Sequence, residues 1–136
     1  MYQSQVKLRV RYAETDQMGY CYYGNYAQYF EVARVEALRE LGVNYKNIEE
    51  MGFLMPVLDF NIKYLKPAFY DEELTIVCKI PVLPGVRIKF EYETFNQNKE
   101  KINFATTTLV FLDKNSKKPV NCPSIVIDKL KHTYEK

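Results

Sequence analysis

A short segment between residues 11 and 19 holds the acidic side chains best placed for chemistry. It has the sequence RYAETDQMG and contains Glu14 and Asp16, shortly before a helical pattern that begins near residues 23–25. Free N–H groups at a helix start stabilise developing negative charge. A carboxylate beside them can attack a carbonyl group or activate water. The segment therefore suits reactions at an acyl carbonyl, with a loop or capping role as the alternative for Asp16 and a solvated loop acid as that for Glu14.

Other catalytic classes lack the residues they need. The only histidine is His132, in a polar and basic tail, which argues against a Ser-His-Asp or Cys-His site. The three cysteines, Cys21, Cys78 and Cys122, have no metal-like spacing, and Cys21 without a histidine partner is interpreted as an ordinary thiol. The sequence contains neither G-x-x-x-x-G-K-S/T nor G-x-G-x-x-G. We therefore expect no metal and no cofactor.

Composition narrows the class of protein further. The 136 residues fit one domain, residues 1–136, and the net charge of +2 is too balanced to predict nucleic-acid binding. No apolar run approaches the roughly 20 residues of a transmembrane helix. The first residues lack the apolar core of a secretion signal, and an odd number of cysteines fits a reducing compartment. We expect a cytoplasmic protein without a transmembrane segment.

The elements that must position the acidic segment follow from hydrophobic periodicity. Alternation over residues 6–12 predicts a half-buried strand, and helical spacing over residues 26–41 predicts a long amphipathic helix. Asn25 and Gln28 resemble a capping box at the start of the helix, and Gly42 is expected to end it. The acidic segment is thus expected in the loop between strand and helix.

The rest of the chain is dominated by alternating, strand-like patterns. Strands are expected at residues 58–64, 74–82, 86–94 and 102–112, joined by hairpins, with a loop at 113–118 and a short helix at 123–131. The long helix cannot bury its apolar stripe alone, so the simplest packing wraps one antiparallel sheet around it. The predicted class is α+β, and the two sheet edges favour pairing with a second copy.

Four blocks of the sequence resemble a known family over essentially the whole chain. They are RYAETDQMG at residues 11–19, YYGNY at 22–26, YFEVAR at 29–34 and LKPAFYDEEL at 65–74. They look like the hotdog thioesterases related to 4-hydroxybenzoyl-CoA thioesterase and to the Tol–Pal-associated acyl-CoA thioesterases. The resemblance implies a hotdog fold, an antiparallel sheet wrapped around a central helix. It also implies homodimers or homotetramers with the active site at the dimer interface.

The resemblance also assigns roles within the site. It makes Asp16 the catalytic carboxylate and the backbone N–H of Tyr23 the group that polarises the carbonyl, with Gly19 and Asn25 shaping the loop. Many members of the Tol–Pal-associated branch have histidine at the position of Tyr23, whereas the 4-hydroxybenzoyl branch has tyrosine. The backbone donor is unaffected by this difference, but any role of an imidazole does not transfer.

The implied substrate is an acyl- or aryl-CoA, which the enzyme hydrolyses to the free acid and CoA. The CoA phosphates need cations, and the candidates are Lys63, Lys66 and Arg87, with solvated surface cations as the alternative. The acyl pocket is expected to use the aromatic residues Tyr12, Tyr22, Phe60 and Tyr64, with core packing as the alternative. Two other functions remain open: a non-catalytic acyl-binding or assembly module, and a thioesterase acting on acyl-carrier protein.

Overall fold

The computed structural model describes residues 1–134, in which an antiparallel sheet packs against one long helix. The helices are α1 (Tyr26–Glu40), α2 (Tyr45–Glu50) and α3 (Ser124–Leu130). The strands are β1 (Tyr2–Arg9), β2 (Phe53–Leu54), β3 (Val57–Tyr64), β4 (Glu73–Ile80), β5 (Arg87–Phe95), β6 (Lys101–Val110) and β7 (Leu112–Asp113). Three 3-10 turns lie at Tyr12–Glu14, Tyr23–Asn25 and Lys131–Tyr134.

The five long strands form one sheet in the order β1-β4-β5-β6-β3, with every neighbouring pair antiparallel. The hairpins β4–β5 and β5–β6 agree with the sequence prediction. The connection from β3 to β4 is not a hairpin, because β3 pairs with β6 at the far edge of the sheet. The pair β2–β7 was not predicted, and it includes Asp113, which was expected to begin a loop.

Side chains from alternate positions of the central strands pack against α1 and form the core. Ile76, Ile88 and Phe90 are fully buried on the sheet. From the helix, Phe30 is 0% exposed and stacks on Tyr92 with ring centroids 4.5 Å apart. The burial of one helical stripe against one sheet face confirms the predicted α+β class.

The structure changes three details of the sequence prediction near the helix. Strand β1 ends at Arg9, so Tyr12 lies in a 3-10 turn instead of a strand. The capping box does not form, because Asn25 already has helical dihedral angles (φ −73°, ψ −22°) and its side chain makes no capping bond. Gly42 has φ +92°, a conformation that favours glycine, and it ends the helix as expected.

Strand β3 forms an edge of the sheet that α1 does not fully cover. Phe60 and Tyr64 lie opposite the buried residues Thr107 and Asn103 of β6, so they are on the face that carries the helix. Both nevertheless remain at least 40% exposed, as does Leu58. The two edge strands of the sheet, β1 and β3, therefore differ, because β3 exposes large apolar side chains. Within residues 1–134, no helix has the length and apolar character needed to cross a membrane.

Replacing Phe30 by alanine should remove the contact on which the helix–sheet packing depends. The free energy of unfolding should fall by about 3–5 kcal/mol, the usual range for a buried phenylalanine. Urea unfolding followed by circular dichroism at fixed protein concentration measures this change. Val32→Ala is the matched control because Val32 lies on the same helix but is 44% exposed. It should change stability by less than about 0.5 kcal/mol, and equal losses in both variants would contradict the assignment of the core.

Candidate active site

The segment from Tyr12 to Tyr22 folds into a compact loop held by its own backbone. The Asp16 N–H donates to the Tyr20 carbonyl at 2.9 Å, and the Gly19 N–H donates to the Asp16 carbonyl at 2.9 Å. Gly19 has φ +81°, so a residue with a side chain would be strained at this turn. The loop is thus a defined turn with Asp16 at its base.

The Asp16 side chain uses one of its two carboxylate oxygens to stabilise this turn. Its Oδ1 accepts hydrogen bonds from the N–H groups of Met18 at 2.9 Å and Tyr20 at 3.2 Å. Among the described residues, Oδ2 has no hydrogen-bond partner. The loop role considered from the sequence is therefore real for Oδ1, whereas Oδ2 is left available to a ligand.

The chain enters α1 through the 3-10 turn Tyr23–Asn25. The N–H groups of Tyr23 and Gly24 have no acceptor among residues 1–134, as expected at a helix start. A Cβ atom on Gly24 would lie 2.7 Å from a ring carbon of Tyr22, so a side chain at this position would require the Tyr22 ring to move. The Tyr22 ring in turn packs on Tyr23 with centroids 4.8 Å apart. The turn therefore presents free donors in a fixed backbone.

A cavity of about 400 Å³ lies between this loop, the start of α1 and the end of β3. Asp16 and Tyr23 both line it, and Lys66 adds a cation to its wall. The remaining lining residues are mostly aromatic or aliphatic: Met18, Tyr20, Cys21, Tyr26, Tyr64, Leu65 and Pro67. A mostly apolar cavity with a few polar groups is typical of a small-molecule site.

Glu14 is buried, contrary to its interpretation as a solvated loop acid. It is 7% exposed and accepts hydrogen bonds from the Arg11 backbone, the Arg11 guanidinium and the Tyr29 hydroxyl. Burial alone would raise the pKa of Glu14, but these bonds and the charge of Arg11 outweigh it and lower the pKa below its ordinary value. Glu14 is therefore an ionised structural group below the surface.

The thiol of Cys21 is also buried beside this cluster. Its Sγ lies 3.5 Å from the Tyr29 hydroxyl. Burial raises the pKa of the Cys21 thiol, which keeps it protonated and a poor nucleophile. His132 is exposed in the turn after α3. In the part of the chain that the structure describes, no three or more His, Cys, Asp or Glu side chains cluster as metal ligands.

The structure brings only some of the predicted aromatic residues to the cavity. Tyr64 lines it, with its ring 5.8 Å from that of Tyr26. Tyr12 is 77% exposed and packs on Tyr70 outside the cavity. Tyr22 supports the neighbouring turn, and Phe60 lies in a separate groove beside Phe30. Among these four residues, the prediction of a pocket wall thus fits Tyr64.

The predicted cations are likewise separated. Lys66 lines the cavity, but it already forms an ion pair with Glu100, whose pKa is held below its ordinary range by this pair. Lys63 lies opposite Phe104 of β6 on the outer face of the sheet. Arg87 pairs with Val110, seven residues along β6 from the partner of Tyr64, or roughly 24 Å away. Within one chain, Lys66 is therefore the predicted cation that reaches the cavity.

Asn25 acts on the loop, although through a contact that the sequence does not reveal. Its side-chain amide donates to the Glu14 carbonyl at 2.7 Å. The segment after β3 also contributes, because the Cys21 N–H donates to the Ala68 carbonyl at 2.7 Å and Tyr20 forms a bridge with Phe69. Leu65 and Pro67 line the cavity although no sequence pattern predicted it, since their approach depends on this long-range pairing. Tyr26 belongs to the predicted helix stripe, where no local signal marks a cavity position.

Comparisons with a family model and with curated proteins point to the same protein family. Residues 18–103 match the model of the thioesterase superfamily. The "putative acyl-CoA thioesterase YneP" of Bacillus subtilis is 38% identical over 120 residues, covering 88% of this chain and 87% of that protein. The chloroplastic acyl-acyl carrier protein thioesterase ATL3 of Arabidopsis thaliana is 30% identical, covering 94% of this chain and 67% of that protein.

A solved structure extends this result to the fold. The DHNA-CoA thioesterase from Staphylococcus aureus superimposes with a TM-score of 0.85 at 34% sequence identity. The match covers 98% of this chain and 85% of that one. Sheet, central helix and sequence therefore agree on one assignment. The chain belongs to the thioesterase superfamily and has the hotdog fold.

Proposed function

We propose that this protein hydrolyses the thioester of an acyl- or aryl-CoA to the free acid and CoA. The observation that carries the proposal is the shared cavity of Asp16, which has one free carboxylate oxygen, and Tyr23, which has a free backbone N–H. One group supplies electrons to a carbonyl carbon, and the other stabilises the negative charge that then develops on the carbonyl oxygen. Thioester hydrolysis needs both.

Two routes use the same groups. In the first, Asp16 Oδ2 attacks the thioester carbon, the C–S bond breaks, CoA leaves as the thiolate, and water then hydrolyses the mixed anhydride. In the second, Asp16 removes a proton from water as the water attacks the same carbon; the C–S bond of the tetrahedral intermediate then breaks, and the CoA sulfur takes this proton from Asp16 and leaves as the thiol. In both routes the carbonyl oxygen is stabilised by the N–H of Tyr23, with Gly24 as an adjacent donor. The acyl chain would lie against Tyr26, Tyr64 and the other apolar residues of the cavity.

A second substrate form is supported by the relatives. Besides the acyl-CoA thioesterase, the similar proteins include a chloroplastic acyl-acyl carrier protein thioesterase. The cavity holds few free cations for CoA phosphates, since Lys66 is already paired with Glu100. A screen of short, long and aryl acyl-CoAs and of acyl-carrier-protein thioesters, with free-thiol detection, separates these substrates. Tight acyl-CoA binding without turnover of any of them would instead support a binding module.

Asp16→Asn should abolish most of the hydrolysis without altering the loop. The amide oxygen of asparagine can accept the same bonds from Met18 and Tyr20 that Oδ1 accepts, but the amide is a poor nucleophile and base. The value of kcat should fall by about 10²–10⁴, the usual range for loss of a general base, or further if a covalent step is lost. KM should change little, because the cavity wall and the helix start are untouched.

Asp128→Asn is the matched control for this change. Asp128 is exposed on α3, and its contact with Lys131 spans 3.9 Å. Its replacement makes the same chemical change without access to the cavity and should leave kcat within twofold. A folded Asp16→Asn protein with near-normal kcat would exclude Asp16 as the catalytic carboxylate. A rise in KM alone would indicate a binding role instead.

Replacement of Cys21 by serine should leave most of the activity. The thiol is buried, its pKa is raised, and no histidine lies near it to accept a proton. Steady-state hydrolysis and binding of a non-hydrolysable acyl-CoA thioether should be measured for Cys21→Ser and for Cys122→Ser. Burial raises the pKa of Cys122 to about 12, and this residue lies outside the cavity lining. Loss of turnover in Cys21→Ser alone, with thioether binding intact, would indicate a thiol nucleophile.

We expect the protein to be at least a dimer that pairs along β3. This edge has unpaired backbone groups and exposes Leu58, Phe60 and Tyr64, which a second copy would cover. Light scattering at micromolar concentration should give at least twice the 16.1 kDa chain mass. Phe60→Lys should shift the mass towards the monomer, whereas Val82→Lys, at an exposed position away from β3, should not. A fully active monomer would contradict an active site at a subunit interface.

A further inference from the structure

Glu14 is a buried charge for which the proposed reaction gives no direct role. Glu14 lies in the segment that leads to Asp16 and is only 7% exposed to solvent. Oε1 accepts from the Arg11 backbone at 2.9 Å and from the Tyr29 hydroxyl at 2.7 Å, while Oε2 accepts from the Arg11 guanidinium at 2.6 Å. Tyr29 belongs to the first turn of α1, so one side chain joins the loop and the helix.

The backbone carbonyl of the same residue makes a second connection. It accepts from the Tyr22 N–H at 2.8 Å and from the Asn25 side-chain amide at 2.7 Å. Tyr22 and Asn25 flank the two residues whose N–H groups are free, Tyr23 and Gly24. Asp16 follows Glu14 by two residues and carries the free carboxylate oxygen. Glu14 is therefore hydrogen-bonded to the residues on either side of the free N–H groups and is linked to Asp16 through the loop backbone.

We propose that Glu14 is a positioning residue that fixes the Asp16 carboxylate relative to the Tyr23 N–H. The proposal rests on the proposed function, because it assigns the spacing of these two groups to Glu14. A buried, ion-paired and fully bonded carboxylate holds its partners more rigidly than a solvated one. The reaction is sensitive to this spacing, since a misplacement of about 1 Å can lower a rate by about 10²-fold.

The direct test is Glu14→Gln in the full chain. Glutamine preserves the size of the side chain but removes its charge and replaces one of the two acceptor oxygens by an NH2 donor, so it cannot accept all the bonds from Arg11 and Tyr29. We expect kcat to fall by about 10–100-fold while KM for acyl-CoA and binding of a non-hydrolysable acyl-CoA thioether change less than about threefold. Rates are normalised to the thioether-binding fraction, so a partly unfolded sample does not imitate the effect.

Two further variants separate positioning from a general loss of stability. Tyr29→Phe removes one hydroxyl from the cluster and should give a smaller fall of kcat in the same direction, even if Glu14→Gln folds poorly. Glu93→Gln is the matched control, because Glu93 lies on β5, is half-buried, and forms ion pairs with Lys79 and Lys101. It should leave kcat within twofold.

Amide hydrogen exchange followed by nuclear magnetic resonance reports the connection without any substrate. In Glu14→Gln the Tyr22 amide should exchange at least about tenfold faster, whereas amides in the middle of α1 should be unchanged. A folded Glu14→Gln protein with normal kcat or unchanged Tyr22 exchange would overturn the positioning role. An equal loss of kcat in Glu93→Gln would overturn it too.

The outcome also separates this inference from the proposed function. If the parent protein hydrolyses no thioester, the proposed function and the catalytic part of this inference both fail. If the parent turns over normally and Glu14→Gln is unaffected, only the inference is refuted.

Discussion

The burial of α1 against one face of the sheet is the interaction on which the rest of the structure depends. An isolated helix of 15 residues is marginal in water, so its position is set by Phe30 and its neighbours packing on the central strands. Once the body of the helix is fixed, its first turn must emerge next to the end of β3. The free N–H groups of that turn are thus placed by core packing more than by local sequence.

The loop before the helix has only one short 3-10 turn and a few backbone hydrogen bonds of its own to satisfy its polar groups. Side chains supply further bonds: Asp16 accepts two backbone N–H groups, Glu14 accepts from Arg11 and Tyr29, and Asn25 donates to a carbonyl. Buried polar groups are costly unless they are bonded. A dense local network therefore lets an irregular segment keep a defined shape beside an apolar cavity.

The sequence predicted the architecture well because its evidence is local and repeated. Period-2 alternation marks β4, β5 and β6, and a helical stripe marks α1. It failed where long-range pairing decides: β3 crosses to β6, and the segment after β3 docks on Cys21. The same limit applies to the site, where Asp16, Tyr64 and Lys66 line one cavity but their predicted roles stay predictions. Arg87 was not brought there, because sheet register places it at the other end.

Glu14 shows a second limit of sequence reasoning. Its charge and its position in a loop predict exposure, because glutamate is rarely buried without a partner. The partners exist, but Tyr29 lies fifteen residues away and meets Glu14 only after the helix has packed. A buried acid of this kind is visible in the structure and not in the local pattern.

The hydrogen bonds of Asp16 separate what the fold requires from what the chemistry requires. Both N–H groups that stabilise the turn donate to Oδ1, and an asparagine oxygen would accept them equally well. The turn therefore needs a short side chain with one acceptor, but it does not need a negative charge. A charge left at Oδ2, in a cavity with a free helix-start N–H and little other polarity, has no structural task to perform. The proposed reaction gives this charge a task at an electrophilic carbon, so the choice of aspartate over asparagine is the feature of the loop that the proposal explains and the loop's shape does not.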